Sequence, residues 1–498
     1  MSVATERTTF ASLNPATGEV VGEHPIYDEA AVAETVARAR RAARWWGDLD
    51  WKERRLRLLN FKGALTRNLD RMAQLIHDET GKPLPDAQLE VVLSITHLDW
   101  AARNARKVLG PRTVFPGMTA VNHKCTLEYQ PLGVVGVIGP WNYPIFTPMG
   151  SIGYALAAGN AVVFKPSEFT PGVGVLLAEL LAEAVPEQPL LQVVTGLGPT
   201  GAALARSGVD KIAFTGSGPT AKKVMAACAE NLTPIVAECG GKDAFIVDAD
   251  ADLEAAADAA VWGAMSNSGQ TCVGVERIYV VDGVYEEFLG KLTEKAKGLR
   301  PGFGDEAHYG PVTMPGQLDV IERHIKDALE RGGRAVVGGT ESVRKPYVEP
   351  VVLTDVPDDS SAVCEETFGP TITVHRVKDA EEALERANQT SYGLAGTIFS
   401  GSASRAMDLA RRMRSGMTSI NAVIAFASVP ALPFGGVGES GFGRIHGADG
   451  LREFARPKAI TRQRFALPTN LTSFSRTDKD MARILKLVTM LHGKNYKR

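Results

Sequence analysis

The chain has 498 residues, 44% of them hydrophobic and 22% charged, with a net charge of −2. That length exceeds what one hydrophobic core supports and predicts two or three domains. The near-neutral balance excludes a protein drawn as a whole to nucleic acid or acidic membranes, and five scattered cysteines without CxxC or zinc spacing exclude a disulfide scaffold and a metal centre.

In chain order, the first ten residues carry charges and hydroxyls but no apolar segment of a secretory signal, so a cytoplasmic protein is expected. Residues 13–20, with Asn14-Pro15 and Thr17-Gly18, read as a turn between two short strands. Asp28 is a plausible N-cap for a helix over 28–46. Amphipathic helices follow over 52–69, 70–80 and 86–108, and Trp45, Trp46 and Trp100 are expected to pack between them. Residues 113–124, around Pro116-Gly117, suggest a projecting hairpin that leads into a strand over 125–131. From 132 the chain alternates apolar strands (132–138, 161–164, 191–194, 211–214) with helices (147–158, 172–184, 201–207, 218–229). The alternation resumes after Gly240-Gly241, with strands over 243–247, 277–281, 335–337, 371–377 and 397–399. Helices over 252–265, 285–299 and 380–387 separate them. This pattern predicts an α/β fold of two doubly wound Rossmann-like domains with a site in the cleft between them.

Several motifs carry chemistry. Ser266-Asn267-Ser268-Gly269-Gln270-Thr271-Cys272-Val273-Gly274 is a small-residue loop presenting a thiol, either a nucleophile or a small buried hydrophobe. Phe214-Thr215-Gly216-Ser217-Gly218 ends a strand and opens a helix whose first N–H groups suit a pyrophosphate. Gly196, Gly198 and Gly201 form a GxGxxG that a plain strand-to-helix turn explains equally well. Lys165-Pro166-Ser167-Glu168 offers a ribose ligand or a surface ion pair. In Pro140-Trp141-Asn142-Tyr143-Pro144 the amide is an oxyanion donor or a turn cap. Glu238, in Glu238-Cys239-Gly240-Gly241-Lys242, is a general base of raised pKa or one side of a salt bridge.

Together PWNYP, KPSE, FTGS, ECGGK, GQTC, ETFGP and PFGG-x-G-x-SGFGR, in this order over residues 13–460, resemble the NAD(P)-dependent aldehyde dehydrogenase superfamily. The resemblance implies that Cys272 attacks an aldehyde as thiolate to give a thiohemiacetal. Asn142 and the Cys272 N–H would hold the oxyanion, hydride would pass to the nicotinamide, and Glu238 would activate the water that hydrolyses the thioester. It further implies cofactor contacts from Trp141, Lys165, Glu168, Gly216, Ser217, Glu366 and Phe368. A substrate tunnel would involve Tyr143, Phe146, Thr147, Thr271, Val273 and Phe434. NAD is expected over NADP, because Glu168 would repel a 2′-phosphate while Lys165 could offset it. These tunnel residues are aromatic, apolar or uncharged, which favours a neutral aliphatic or aromatic aldehyde over succinate semialdehyde.

By the same resemblance, residues 1–112 and 132–240 form the cofactor-binding domain and 241–450 the catalytic domain. Residues 113–131 and 451–467 form a small β oligomerisation element that pairs subunits into a homodimer or homotetramer. Residues 468–498 add a tail, with Met481, Ile484, Leu485, Val488 and Leu491 at helical spacing beside Arg483, Lys486, Lys494, Lys497 and Arg498. The tail would pack on the body, cover the substrate entrance or lie on a membrane surface. Cys239 stands where the family usually has leucine; beside the expected base it is either a packed side chain or an oxidation-sensitive thiol. Gly438 replaces a common lysine and, with Arg444-Ile445-His446-Gly447, is similar to the branch of fatty and aromatic aldehyde dehydrogenases. The rival readings are a CoA-acylating dehydrogenase, which generally lacks the base, and a non-catalytic protein on the same fold.

Overall fold

Local sequence starts and stops the N-terminal helices. In the computed structural model, Asp28 accepts from the Ala31 N–H at 2.8 Å and opens the helix Glu29–Asp48. Asp50 caps Trp51–Arg67 through Glu53 N–H in the same way. Each cap satisfies an N–H that the helix itself leaves unpaired. Leu69–Thr80 ends at Gly81 with φ +73, and Leu84–Leu109 follows. Trp46 is buried with its indole N–H on the Leu156 carbonyl at 2.8 Å, and Trp100 stacks on Tyr154. The structure describes residues 8–467 and 472–494; most of the N-terminal stretch read for a signal, the start of the tail at Pro468, and Lys497 and Arg498 lie outside them.

A six-stranded sheet runs, in spatial order, Gly441–Phe442, Ile235–Glu238, Lys211–Thr215, Val134–Ile138, Ala161–Lys165 and Leu191–Val193. Only Gly441–Phe442 is antiparallel. Val134–Ile138 and Ala161–Lys165 are buried throughout, as strands covered on both faces must be. The chain lays down Val134–Ile138 first, moves outward through Ala161–Lys165 and Leu191–Val193, then returns to the other side with Lys211–Thr215. The connections after Val134–Ile138 and Lys211–Thr215 therefore part in opposite directions and open a crevice at their carboxyl ends. Trp141, Asn142, Gly216 and Ser217 follow those two strands.

A seven-stranded sheet runs Arg334–Val337, Val351–Thr354, Thr371–Val377, Val275–Val281, Asp243–Val247, Gly396–Phe399 and Ser419–Ile420, with only Arg334–Val337 antiparallel. Phe245, Ile278, Phe288 and Val374 pack one face, and Ile246, Tyr279, Ile398 and Leu409 the other. Gly240-Gly241 separates the two sheets in sequence, apart from the late strand Gly441–Phe442. Val351–Thr354, Ser419–Ile420 and the helix Pro315–Glu330 lie outside the pattern expected from sequence.

Leu109–Gln130 and Pro457–Arg498 form a second compact unit. Its sheet orders Ala455–Gln463, His123–Pro131 and Arg112–Val114, with Thr113 opposite Thr126 as the expected hairpin requires. Asn122 clasps the C-terminal strand's end by accepting from Arg464 N–H at 2.7 Å and donating to the Phe465 carbonyl at 3.2 Å. The helix Asp478–His492 begins with a Thr477/Asp480 capping box. Among the described residues no helix is long and apolar enough to cross a membrane.

Candidate active site

The loop presenting Cys272 is held in a conformation that few residues accept. After the helix Leu253–Met265, Asn267 and Ser268 take φ values of 53° and 58°, and Gly269 takes 69°. A Cβ on Gly269 would lie 2.1 Å from the Gly369 carbonyl oxygen, so glycine is required there. Hydrogen bonds impose the strain: Ser268 donates to the Gly310 carbonyl, and Asn267 Nδ2 donates to the Asn142 and Gln270 carbonyls at 3.1 and 3.2 Å. Gln270 Oε1 accepts from Thr313 N–H at 2.8 Å while its amide donates to the Asn267 carbonyl. Such over-determined strain is characteristic of functional loops. It leaves Cys272 half-buried beside the strand Val275–Val281.

The Asn142 side chain donates to the Gln270 carbonyl at 2.8 Å, which points its amide at the thiol loop and leaves a second N–H to donate. The loop carrying Asn142 is clamped by two residues that the sequence reading missed. Lys82, fully buried, donates to the Asn142 carbonyl at 2.8 Å and to Glu90 Oε2 at 2.7 Å. The other Glu90 oxygen accepts from the Ile145 and Phe146 N–H groups at 2.9 and 3.2 Å. Lys82 also lies 4.3 Å from the Tyr143 ring centroid, and the Tyr143 hydroxyl meets Thr271 Oγ1 at 2.9 Å. The only sequence signal was a lysine between Gly81 and Pro83 at a helix break.

Electrostatics set the protonation states. Burial pushes the Cys272 thiol far above its ordinary range; Glu366, Asp243 and Glu238 raise it further, and the Val273 N–H opposes them. Burial also raises Glu238 well above the usual carboxyl range, with Arg444 opposing. Neither Glu238 oxygen has a hydrogen-bond partner among the described residues. The lysine in the same motif, Lys242, pairs instead with Glu276 and donates to Thr367 Oγ1 at 3.1 Å. Glu238 itself forms no salt bridge among the described residues. Burial holds the Cys239 thiol up at about 11, so it stays protonated at neutral pH.

Of the predicted cofactor residues, Trp141, Lys165, Glu168, Gly216 and Ser217 lie at or just after the carboxyl ends of strands in the six-stranded sheet, whereas Glu366 and Phe368 precede Thr371–Val377 of the seven-stranded sheet. Gly216 and Ser217 precede the helix Gly218–Ala229, whose first turn has no side-chain cap. Lys165, buried at the end of its strand, reaches Glu168 at 3.3 Å, so the ion-pair reading is realised where a ribose contact was also expected. Trp141 packs edge-on to Phe368 at 5.6 Å and to Phe169 at 6.4 Å. Glu366 accepts from Gly241 N–H at 3.0 Å and is raised to about 8, chiefly by burial and then by Glu276. A Cβ on Gly240 would strike the Glu366 carboxylate. Uncapped N–H groups, carboxylates able to accept ribose hydroxyls and an aromatic wall suit a dinucleotide. The GxGxxG loop is committed elsewhere, with Thr195 and Thr200 hydroxyls on the Pro25 and Tyr27 carbonyls at 2.6 and 2.7 Å.

Tyr143, Phe146, Thr147, Thr271, Val273 and Phe434 all line one pocket with Cys272, about 770 Å³ including its open mouth. Leu93, Trp262 and Ile424 extend its apolar wall. Beyond the six residues expected from sequence, the charged side chains of Lys82, Asp86 and Glu90 also line it. Lys82 and Glu90 neutralise each other there, and no arginine lines the pocket among the described residues. Behind Phe146 and Phe434 lie His97 and His446, both driven towards the neutral form by burial.

Residues 2–460 match the model of the aldehyde dehydrogenase family. The chain is 38% identical over 468 residues to the 4,4′-diapolycopene aldehyde oxidase of Methylomonas sp., covering 93% of this chain and 87% of that one. It is 35% identical over 452 residues to the glutarate-semialdehyde dehydrogenase of Pseudomonas aeruginosa, covering 90% and 92%. An E. coli NADP-dependent enzyme of known crystal structure superposes with a TM-score of 0.87 at 33% identity, covering 91% of this chain and 95% of its own. The chain belongs to the aldehyde dehydrogenase family and is an NAD(P)-dependent oxidoreductase acting on aldehydes.

Proposed function

We propose that this enzyme oxidises a neutral, largely apolar aldehyde to its carboxylic acid through a thiohemiacetal and a thioester on Cys272. The observation that carries the reading is the shared pocket: a half-buried thiol opens into a wall of aromatic and aliphatic side chains whose one cation is already matched by a carboxylate. A substrate carboxylate would find no unmatched cation on that wall. The Methylomonas relative is named for a polyene aldehyde, which is the same chemical class. The Pseudomonas relative is named for a semialdehyde, and that substrate suits this wall less well.

The thiol is protonated at neutral pH, so attack requires its proton to leave. Glu238, close enough to raise the thiol electrostatically, is the acceptor we assign in its ionised form, which burial makes strongly basic. The second Asn142 N–H and the Cys272 backbone N–H stabilise the oxyanion. The bound dinucleotide supplies the hydride acceptor. Once that proton has passed from Glu238 to solvent, the carboxylate takes another from the water that cleaves the thioester. Its presence favours hydrolysis over transfer to CoA. Glu168 favours NAD by repelling a 2′-phosphate, although the E. coli neighbour is NADP-dependent. We place subunit pairing, as homodimer or homotetramer, on the sheet of the smaller unit, and assign the two large sheets to cofactor binding and catalysis.

The test is NADH formation by purified protein with NAD and aldehydes from acetaldehyde to decanal and benzaldehyde, beside succinate semialdehyde and Cys272→Ala. Loss of activity in Cys272→Ala, with kcat/KM rising along the apolar series, is expected. Activity that survives in Cys272→Ala, or a preference for the semialdehyde, would overturn the mechanism or the substrate class respectively.

A further inference from the structure

The helix Asp478–His492 has an apolar stripe that is not buried among the described residues, with Ile484 and Leu491 partly covered and the rest exposed. Met481, Ile484, Leu485, Val488 and Leu491 fall on one face by helical spacing, and no residue of the helix is buried among the described residues. Met481, Leu485 and Val488 are exposed, and Phe474 just before the helix is fully exposed. Lys479, Arg483 and Lys486 occupy the opposite face. Charge is segregated here: residues 468–498 hold seven Lys and Arg against two acidic residues, in a chain whose net charge is −2.

We propose that this helix lies on the surface of an anionic phospholipid bilayer, apolar stripe inward, with its long cationic side chains reaching the surrounding headgroups. Its 15 residues span about 22 Å at 1.5 Å per residue, too short to cross a bilayer and long enough to lie in its interface. Charge selects this occupant over a second copy of the helix. A second copy carries the same cations and offers them no partner, whereas an anionic surface attracts each lysine and arginine. The proposal is independent of the substrate assigned above. It adds a location from which an apolar aldehyde is drawn.

The test uses the full-length protein and flotation with vesicles of phosphatidylcholine alone or with added phosphatidylglycerol. Wild type is expected to float with the anionic vesicles and not with the neutral ones. Replacing Lys479, Arg483 and Lys486 together by serine is expected to weaken partition by about a hundredfold. The pair Leu485→Ser and Val488→Ser is expected to weaken it by about tenfold or more. Circular dichroism and activity on a short soluble aldehyde, unchanged in both variants, confirm intact folding. Equal partition of wild type and both variants would overturn the proposal, as would flotation with neither vesicle. If the apolar pair instead lowers the oligomeric mass in solution without any vesicle binding, the stripe belongs to a second copy and the membrane assignment fails.

Discussion

Replacing Lys82 by methionine isolates the contribution of a side chain that touches neither thiol nor base. The substitution keeps the volume of the stem but removes the bonds to the Asn142 carbonyl at 2.8 Å and to Glu90 at 2.7 Å. Glu90 is left as a buried carboxylate with only the Ile145 and Phe146 N–H groups, and breaking a buried pair from one side costs about 3–5 kcal/mol. The Asn142 carbonyl would keep its bond from Asn267, so the loop should shift and not unfold. A misplaced oxyanion donor typically costs about 10²-fold or more in kcat. The double variant Lys82→Met with Glu90→Leu separates the two effects. With no lone charge left buried, stability should recover most of the loss, whereas kcat should stay low because the loop has lost both anchors. The assays are thermal denaturation and NADH formation at saturating aldehyde. A double variant that regains wild-type kcat together with stability would show that the pair only supports the fold, and would refute the positioning argument.

Glu238→Gln should leave acylation slower but measurable and reduce steady-state turnover by about 10²–10⁴-fold, because the water on the thioester loses its base. Quenched-flow measurement should then show one equivalent of NADH per site before turnover stalls, and a slow linear phase without that burst would count against hydrolysis as the step Glu238 serves. The raised Cys272 thiol should react slowly with iodoacetamide near neutrality, and its rate should climb with pH through and beyond the ordinary thiol range as the thiolate fraction grows. Glu366→Gln removes a charge that raises that thiol and is present once pH exceeds about 8, so alkylation at a fixed pH above that should quicken; an unchanged rate there would contradict the electrostatic account. Glu168→Gln should narrow the preference for NAD over NADP, read as the ratio of the two kcat/KM values, and a ratio unchanged by the substitution would remove Glu168 from cofactor choice.

How much of this was legible in the sequence depends on whether a residue's partner has a side-chain signature. The βαβ alternation is written in apolar runs, so most strands of both sheets could be placed, whereas Ser419–Ile420 has two residues and too little pattern to recognise. Cys272 stood out because Ser266, Ser268, Gly269 and Gly274 surround it with residues too small to bury it. Glu238 and Asn142 each stood beside an equally plausible structural reading, and only their joint order with five other motifs favoured catalysis. Lys82 and Glu90 left no comparable trace. Their partners are a backbone carbonyl 60 residues away from Lys82 and backbone N–H groups 55 and 56 residues away from Glu90, groups that every sequence supplies. A buried charge is costly unless paired, and a pair inside a pocket meant for apolar substrates would be poor design if it served packing alone. The pair's bonds converge on 142–146, the segment that must aim an amide at an oxyanion within a fraction of an ångström. Charge-assisted bonds to that backbone hold it more firmly than apolar contacts would, which gives a physical reason for retaining the Lys82–Glu90 pair at the edge of a largely apolar tunnel.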